Sequence, residues 1–278
     1  MKRKDIFKKH AKGNRDTDIS VISLGMGVQS TAVYLMSSMG YKLPREDVAV
    51  FADPQAEHHK TYKMLEWLLK WKEENNGIDI IVNKDNNIYK DQLKTNPDRF
   101  VRVPNMPTHT TPTGIALRQC TNDYKIKPVI KTVREQLKIK KHYRMKPTEM
   151  WLGISLDEVE RMKKSPLYNI FYFYPLIYHG ITRNDCIDFY KENNFPIPVK
   201  SSCVFCPYHS NSFWKELQKE NGEAWKKSIR VDRAIRKKFK LVGDQYLHPS
   251  RKPLEEINFD DGQLEMFEGF DCEGHCGL

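Results

Sequence analysis

The apolar positions of this chain change their period repeatedly over its first third. ISVISL (19–24) is a short continuous apolar run, the pattern of a buried strand. STAVYLMSSM (30–39) then repeats its apolar residues at helical spacing behind a serine. EDVAVFAD (46–53) predicts a second strand that closes on a carboxylate. EHHKTYKMLEWLLKWKEENN (57–76) predicts an amphipathic helix, with Tyr62, Leu65, Leu68 and Leu69 on one face. IDIIVNK (78–84) predicts a third strand. Strand alternating with helix implies an α/β fold: a parallel, twisted sheet flanked by helices and built with right-handed crossovers.

Further along, NDYKIKPVIKTVREQL (122–137) reads as a helix despite Pro128, TEMWLGIS (148–155) as a fourth strand, and DEVERMKK (157–164) as a short helix. FYFYPLIYHG (171–180) is aromatic and reads as extended, and TRNDCIDFYKENN (182–194) as a helix capped by Thr182. CVFCPYHS (203–210) has the composition of a knuckle-like turn, and 211–240 that of a basic helical region. Segment 94–118, rich in Pro, Thr and Asn, is long for a loop in a compact domain and suits a substrate loop or lid. The expected organisation is a basic tail (1–17), a nucleotide-binding domain (18–210) and a helical, cysteine-containing extension with its tail (211–278).

The junction between the first strand and the first helix carries the candidate chemistry. Glycines between a strand and a helix start let successive amides converge on an anion, and the helix adds its N–H groups and dipole. Ser30 and Thr31 add hydroxyls. A tight structural turn is the competing reading. No Gly-Lys-Ser/Thr is present for a Walker loop, and no third glycine stands three residues beyond Gly27 for a dinucleotide fingerprint.

GMGVQST (25–31) resembles the pyrophosphate loop of the PP-loop ATP pyrophosphatases, Ser-Gly-Gly-x-Asp-Ser-Thr, with Gly27, Ser30 and Thr31 matching. Gly25 stands at the usual first serine, Met26 replaces a glycine and Gln29 replaces the aspartate, so no carboxylate handles magnesium there. Ser23 offers a substitute hydroxyl. VAVFADPQAEHHKTYKML (48–65) is similar to the second block of the phosphoadenosine-phosphosulfate reductase branch, with Asp53 and Glu57 on its carboxylate positions. LRQCTNDYKIKPV (117–129) resembles that branch's Arg-x-Cys-Thr segment through Arg118, Cys120, Thr121 and Lys125. WLGISLDEVERM (151–162) resembles its Gly-x-Arg-x-x-Glu-x-x-Arg block through Gly153, Glu158 and Arg161, with Ser155 in or beside the usual basic position.

The resemblance implies an adenine nucleotide alpha hydrolase-like fold that binds ATP with Mg²⁺ and splits it between the α and β phosphates while adenylating a substrate. In that scheme Ser23, Gly25, Gly27, Gln29, Ser30, Thr31, Glu57 and Gly153 surround the nucleotide, and Asp53 holds Mg²⁺ or the ribose. Lys125 and Arg118 neutralise phosphate oxygens, and Arg161 serves the leaving pyrophosphate. Apart from the resemblance, Asp53 and Glu57 read as a carboxylate pair at a helix N-terminus.

Six cysteines occur. Cys203 and Cys206 have the spacing of two ligands to one metal, which small redox motifs share. The resemblance adds Cys120 and implies a three-thiolate [4Fe-4S] site with one open iron. A fourth ligand from His209, Cys272 or Cys276 makes Zn²⁺ the alternative. Cys186, on an apolar helix face, reads as a core thiol. HCGL at 275–278 also resembles the catalytic segment of sulfonucleotide reductases, which makes Cys276 a candidate nucleophile in a second reading.

The 46 Lys and Arg against 36 Asp and Glu give a net charge of +10, which suits an anionic partner. Residues 214–240 interleave Trp214, Trp225 and Phe239 with Lys226, Lys227, Arg230, Arg233, Arg236, Lys237 and Lys238. That pattern is either a stripe that tracks RNA or DNA, or a solvated face whose aromatics pack inward. A nucleic-acid acceptor implies sulfur insertion and a sulfur donor protein as partner. His58, His59, His109 and His248 read as surface residues or incidental substrate contacts. No membrane segment or secretory signal is recognisable, so a cytoplasmic protein is expected. A third reading is non-catalytic: a nucleotide-sensing or nucleic-acid-binding module, favoured by Gln29 in place of aspartate.

Overall fold

Five strands carry the architecture of the computed structural model, which describes residues 17–94, 120–140, 142–236 and 244–260. They are β1 (Ile19–Ser23), β2 (Val48–Ala52), β3 (Ile80–Asn83), β4 (Thr148–Leu152) and β5 (Ile170–Phe173). Their order is β3-β2-β1-β4-β5, and every neighbouring pair is parallel. Val21 is in register with Val48 on one side and Met150 on the other. Every residue of β2 and β4 is buried: β2 (VAVFA) reads as an unbroken apolar run with no alternation, whereas β4 (TEMWL) also buries the polar Thr148 and Glu149.

The helices follow as α1 (Val28–Met39), α2 (His59–Glu74), α3 (Ile88–Leu93), α4 (Lys127–Gln136), α5 (Pro175–Tyr178), α6 (Arg183–Glu192), α7 (Asn211–Glu220) and α8 (Glu223–Ile235). Thr182 caps α6 by accepting the Asp185 N–H, as its position predicts. One expectation needs correction, and two gain detail. FYFYPLIYHG is extended only through Phe173; Pro175, with its fixed φ, opens the short α5. Residues 122–126 wind as a π-helical turn that leads into α4, with Pro128 at the second residue of that helix. The basic region divides at Asn221, which ends α7 in a left-handed conformation (φ +44°).

The described residues form two compact units that interleave along the chain. The first gathers 17–52, 60–83 and 126–201 and contains the whole sheet. Its core joins Ile22, Leu24, Phe51 and Trp151 of the sheet and flanking loops to Val33, Tyr34 and Leu35 of α1, Leu68 of α2 and Phe189 of α6. The second gathers 53–59, 84–94, 120–125, 202–236 and 244–260, around Trp214, Leu217, Trp225, Val231, Leu247 and Leu254.

One carboxyl in the first unit is held against its own ionisation. Burial pushes Glu46 up to about 7, and the charges of Glu149 and Asp47 add to it. A carboxyl whose folded pKa exceeds its unfolded value stabilises the fold when protonated. That contribution is full below the ordinary value of 4.5 and is lost as pH rises through about 7. Glu46→Gln is therefore expected to gain about 1–2 kcal/mol near pH ~8, with solvent screening allowed for, and nothing near pH ~4. Chemical denaturation at both pH values tests this; an equal effect at both refutes it.

Candidate functional site

The chain leaves the carboxyl end of β1, the central strand, through Leu24 to Gly27 and enters α1 at Val28. Leu24 continues the sheet by donating its N–H to the Val50 carbonyl (2.9 Å). Met26 takes a left-handed φ of +59° while its side chain is wholly buried. That backbone costs a side-chain-bearing residue about 1–2 kcal/mol, which burial of the thioether offsets. The glycine usual in the resembling loops would adopt it without strain.

Beyond Met26 the amides converge. Gly25 N–H and Gly27 N–H both donate to Ser30 Oγ, at 3.2 and 3.3 Å. One oxygen thus stands at the focus of two backbone donors beside a helix start, the arrangement that recognises phosphate oxygens. Ser23, the last residue of β1, is half-buried. Thr31 is fully buried, hydroxyl included, beside Tyr190, so Ser30 alone of the expected hydroxyl pair reaches the amides.

The loop after β4 closes against this one. A Cβ on Gly153 would lie 2.5 Å from both Ser30 N and Ser30 Cα and 2.9 Å from the Gln29 carbonyl carbon. Only glycine lets the two loops approach this closely. The contact sits where β1 and β4 adjoin and the chain, having gone one way across the sheet to β2 and β3, returns to the other side. Open α/β sheets bind ligands outside the carboxyl ends of their strands at such a switch point.

Gln29 has a defined task. Its amide Nε2 donates to Glu158 Oε2 (3.2 Å) and Ser155 Oγ (3.4 Å), and its Oε1 accepts from Arg183 Nη1 (2.9 Å). Arg161 pairs with Glu158 at 2.7 Å. An amide can donate to a carboxylate and accept from a guanidinium at once; an aspartate cannot donate. Burial raises the Glu158 carboxyl, with the Arg161 charge opposing the rise. Arg183 went unnoticed in the sequence because its only local signal is its place after the Thr182 cap. Gln29→Glu, isosteric but charged, is expected to set two carboxylates together and lose about 1–2 kcal/mol at neutral pH, with recovery in acid as the pair shares a proton. Thermal midpoints across pH measure this; a pH-independent loss contradicts the charge argument.

In the second unit Asp53, directly after β2, is buried and accepts the Gln55 N–H through Oδ1 (2.7 Å). Gln55 lies at φ +59°, and its side-chain amide donates to the carbonyls of Lys84 (2.7 Å) and Asn86 (3.2 Å). The buried Glu57 pairs with Lys125 at 3.2 Å and forms an antiparallel bridge with Cys203. The structure thus brings Glu57, Lys125 and the cysteine turn together, with the Lys125 charge matched by a carboxylate. Cys206 N–H donates to the Cys203 carbonyl (2.9 Å), which also lies 2.7 Å from His209 Nε2. The His209 ring stacks on Phe213 at 3.6 Å between centroids. Cys203, Cys206 and Cys120 are half-buried, and Cys120 and Cys203 pack on the same apolar core. Arg118, Cys272, Cys276, His109, Lys237, Lys238 and Phe239 lie outside the described residues.

Cys186 is a core thiol, as expected, and burial pushes it up to about 12, far from a reactive thiolate. The helical region has its aromatics inward: Trp214 and Trp225 are buried. Several of its cations are paired, Arg230 with Glu223 at 3.1 Å, Arg233 with Glu255, and Arg236 with Asp232. His58 and His248 are buried, against the surface reading; His248 Nε2 meets Asn211 Oδ1 at 2.9 Å, and burial lowers it to about 4, keeping it neutral. Among the described residues no helix is long and apolar enough to cross a membrane. No protein-family model matches the chain, and no curated protein matches it.

Proposed function

We propose that this chain is a PP-loop ATP pyrophosphatase with an adenine nucleotide alpha hydrolase-like fold, which binds ATP and adenylates an acceptor. The observation that carries the reading is the convergence of the Gly25 and Gly27 amides on one oxygen at the β1–β4 switch point. Phosphate oxygens accept from these amides and from the start of α1, and Ser30 donates its hydroxyl. Cleavage between the α and β phosphates needs charge neutralisation and an in-line acceptor. By resemblance Lys125, Arg118 and Arg161 supply positive charge, and Asp53 a hard oxygen for Mg²⁺ or a contact to ribose. Asp53 fits only in part, since its Oδ1 already accepts the Gln55 N–H. Magnesium held there would lower the negative charge met by the attacking group.

Cys120, Cys203 and Cys206 would hold the metal centre. By resemblance that centre is a [4Fe-4S] cluster, with Zn²⁺ the alternative. Such a centre suits sulfur transfer to RNA or DNA in the cytoplasm, supplied by a sulfur donor protein.

A second reading has its own observation: Gln29 is built into a network with Glu158 and Arg183 where the resembling loops place a carboxylate. A nucleotide-sensing module would keep the cradle without turnover. Pyrophosphate release from ATP, with and without RNA or DNA, decides between them. Release that depends on the loop is expected. Saturable binding without release supports the sensing reading, and thioredoxin-dependent sulfonucleotide reduction lost in Cys276→Ser supports a reductase. No binding of any adenine nucleotide refutes the cradle.

A further inference from the structure

We propose that His58, His59 and Glu220 form a transition-metal site, with zinc as the favoured ion, separate from the cysteines. One ligand atom from each side chain lies within 4.8 Å of the other two. Tetrahedral zinc with ligands about 2.0–2.1 Å away spaces them by about 3.3 Å, so a contraction of about 1.5 Å or less closes the set. Two imidazoles and a carboxylate make a zinc-preferring donor group, whereas calcium and magnesium favour oxygen ligands throughout.

All three residues belong to the second unit, so its own packing decides the geometry. His58 is buried, with its ring edge-on to Phe213 at 5.7 Å between centroids; Phe213 in turn stacks on His209. That packing fixes one ligand before any ion arrives. His59 opens α2, and its ring lies 4.2 Å from that of His58. Glu220 is the final residue of α7, where the negative end of a ten-residue helix favours a cation. His59 and Glu220 are exposed, which leaves the fourth coordination position to water. The ion would tie the 53–59 segment to the end of α7. The inference goes beyond the nucleotide reading and does not depend on it.

Cobalt(II) titration of the chelator-treated full-length chain tests the site, because thiolate ligation adds an intense charge-transfer band that nitrogen and oxygen ligands lack. The expected result is a thiolate-free d–d component that zinc displaces, weakened at least tenfold in both His59→Ala and Glu220→Ala. Both changes are at exposed positions, and circular dichroism of each variant establishes that it is folded. Zinc should also raise the thermal midpoint of the parent chain more than that of either variant. Absence of a thiolate-free component from the parent, or its survival unchanged in either variant, overturns the proposal.

Discussion

Gly153→Ala is expected to abolish saturable adenine-nucleotide binding and to lower stability by about 3 kcal/mol or more. The added methyl would stand 2.5 Å from backbone atoms of Ser30, which cannot rotate aside as a side-chain tip does. Relief requires the loop after β4 to retreat or the start of α1 to shift. Either movement separates Gln29 from Ser155 and Glu158, and a shift of α1 moves Ser30 Oγ off the focus of the Gly25 and Gly27 amides. Nucleotide titration and denaturant unfolding measure the two losses. Gly27→Ala is the control: Gly27 is extended (φ −92°), and a Cβ there meets nothing within 4 Å. It should therefore fold normally, and any weakening of binding in that variant reports on the space beside the amides. Unimpaired binding in Gly153→Ala contradicts the assignment of the cradle.

Asp232→Asn should cost about 2–4 kcal/mol in the second unit. Asp232 is buried on α8; its Oδ1 accepts the Leu247 N–H (2.9 Å), and its Oδ2 accepts the Leu254 N–H (3.1 Å) and pairs with Arg236. The carboxylate is thus the acceptor for two buried amides of the 244–260 segment and the partner of a half-buried guanidinium. Asparagine keeps one acceptor oxygen and turns an NH₂ donor toward the other set of donors. A buried donor left unsatisfied costs about 1–3 kcal/mol, and losing the charge opposite Arg236 adds to that. Hydrogen exchange at the Leu247 and Leu254 amides, with denaturant unfolding, checks the effect. Unchanged protection at both amides contradicts it.

Much of the sheet was legible because its determinants are local. VAVFA is apolar at every position, so it reads as a strand buried on both faces; Thr182 caps α6 with the residue type its position demands. Two details escaped local reading for one cause, that a single residue redirected the chain. Pro175 started a helix inside an aromatic run, and Asn221 in a left-handed conformation split a basic one. The loop around Gly27 was legible as a motif, but the geometry that gives it meaning was not. Gly153 is marked in the sequence only by the resemblance of its block, and the reason it must be glycine appears only where β4 lies beside β1. Arg183 and Gln29 are 154 positions apart, and no local pattern links them. His58 and His59 looked incidental, and Glu220 carried no signal, for the same reason.

The sequence by itself determined the alternation of strand and helix, the glycine-serine junction at the end of β1, and the burial of Cys186, because each follows from side-chain polarity and backbone freedom over a few residues. Tertiary structure alone decided which charges are matched. It gave Lys125 to Glu57, Arg161 to Glu158, and the amide of Gln29 to a carboxylate and a guanidinium together. Electrostatic partnership depends on distance through space and on the water excluded there, and chain separation encodes neither.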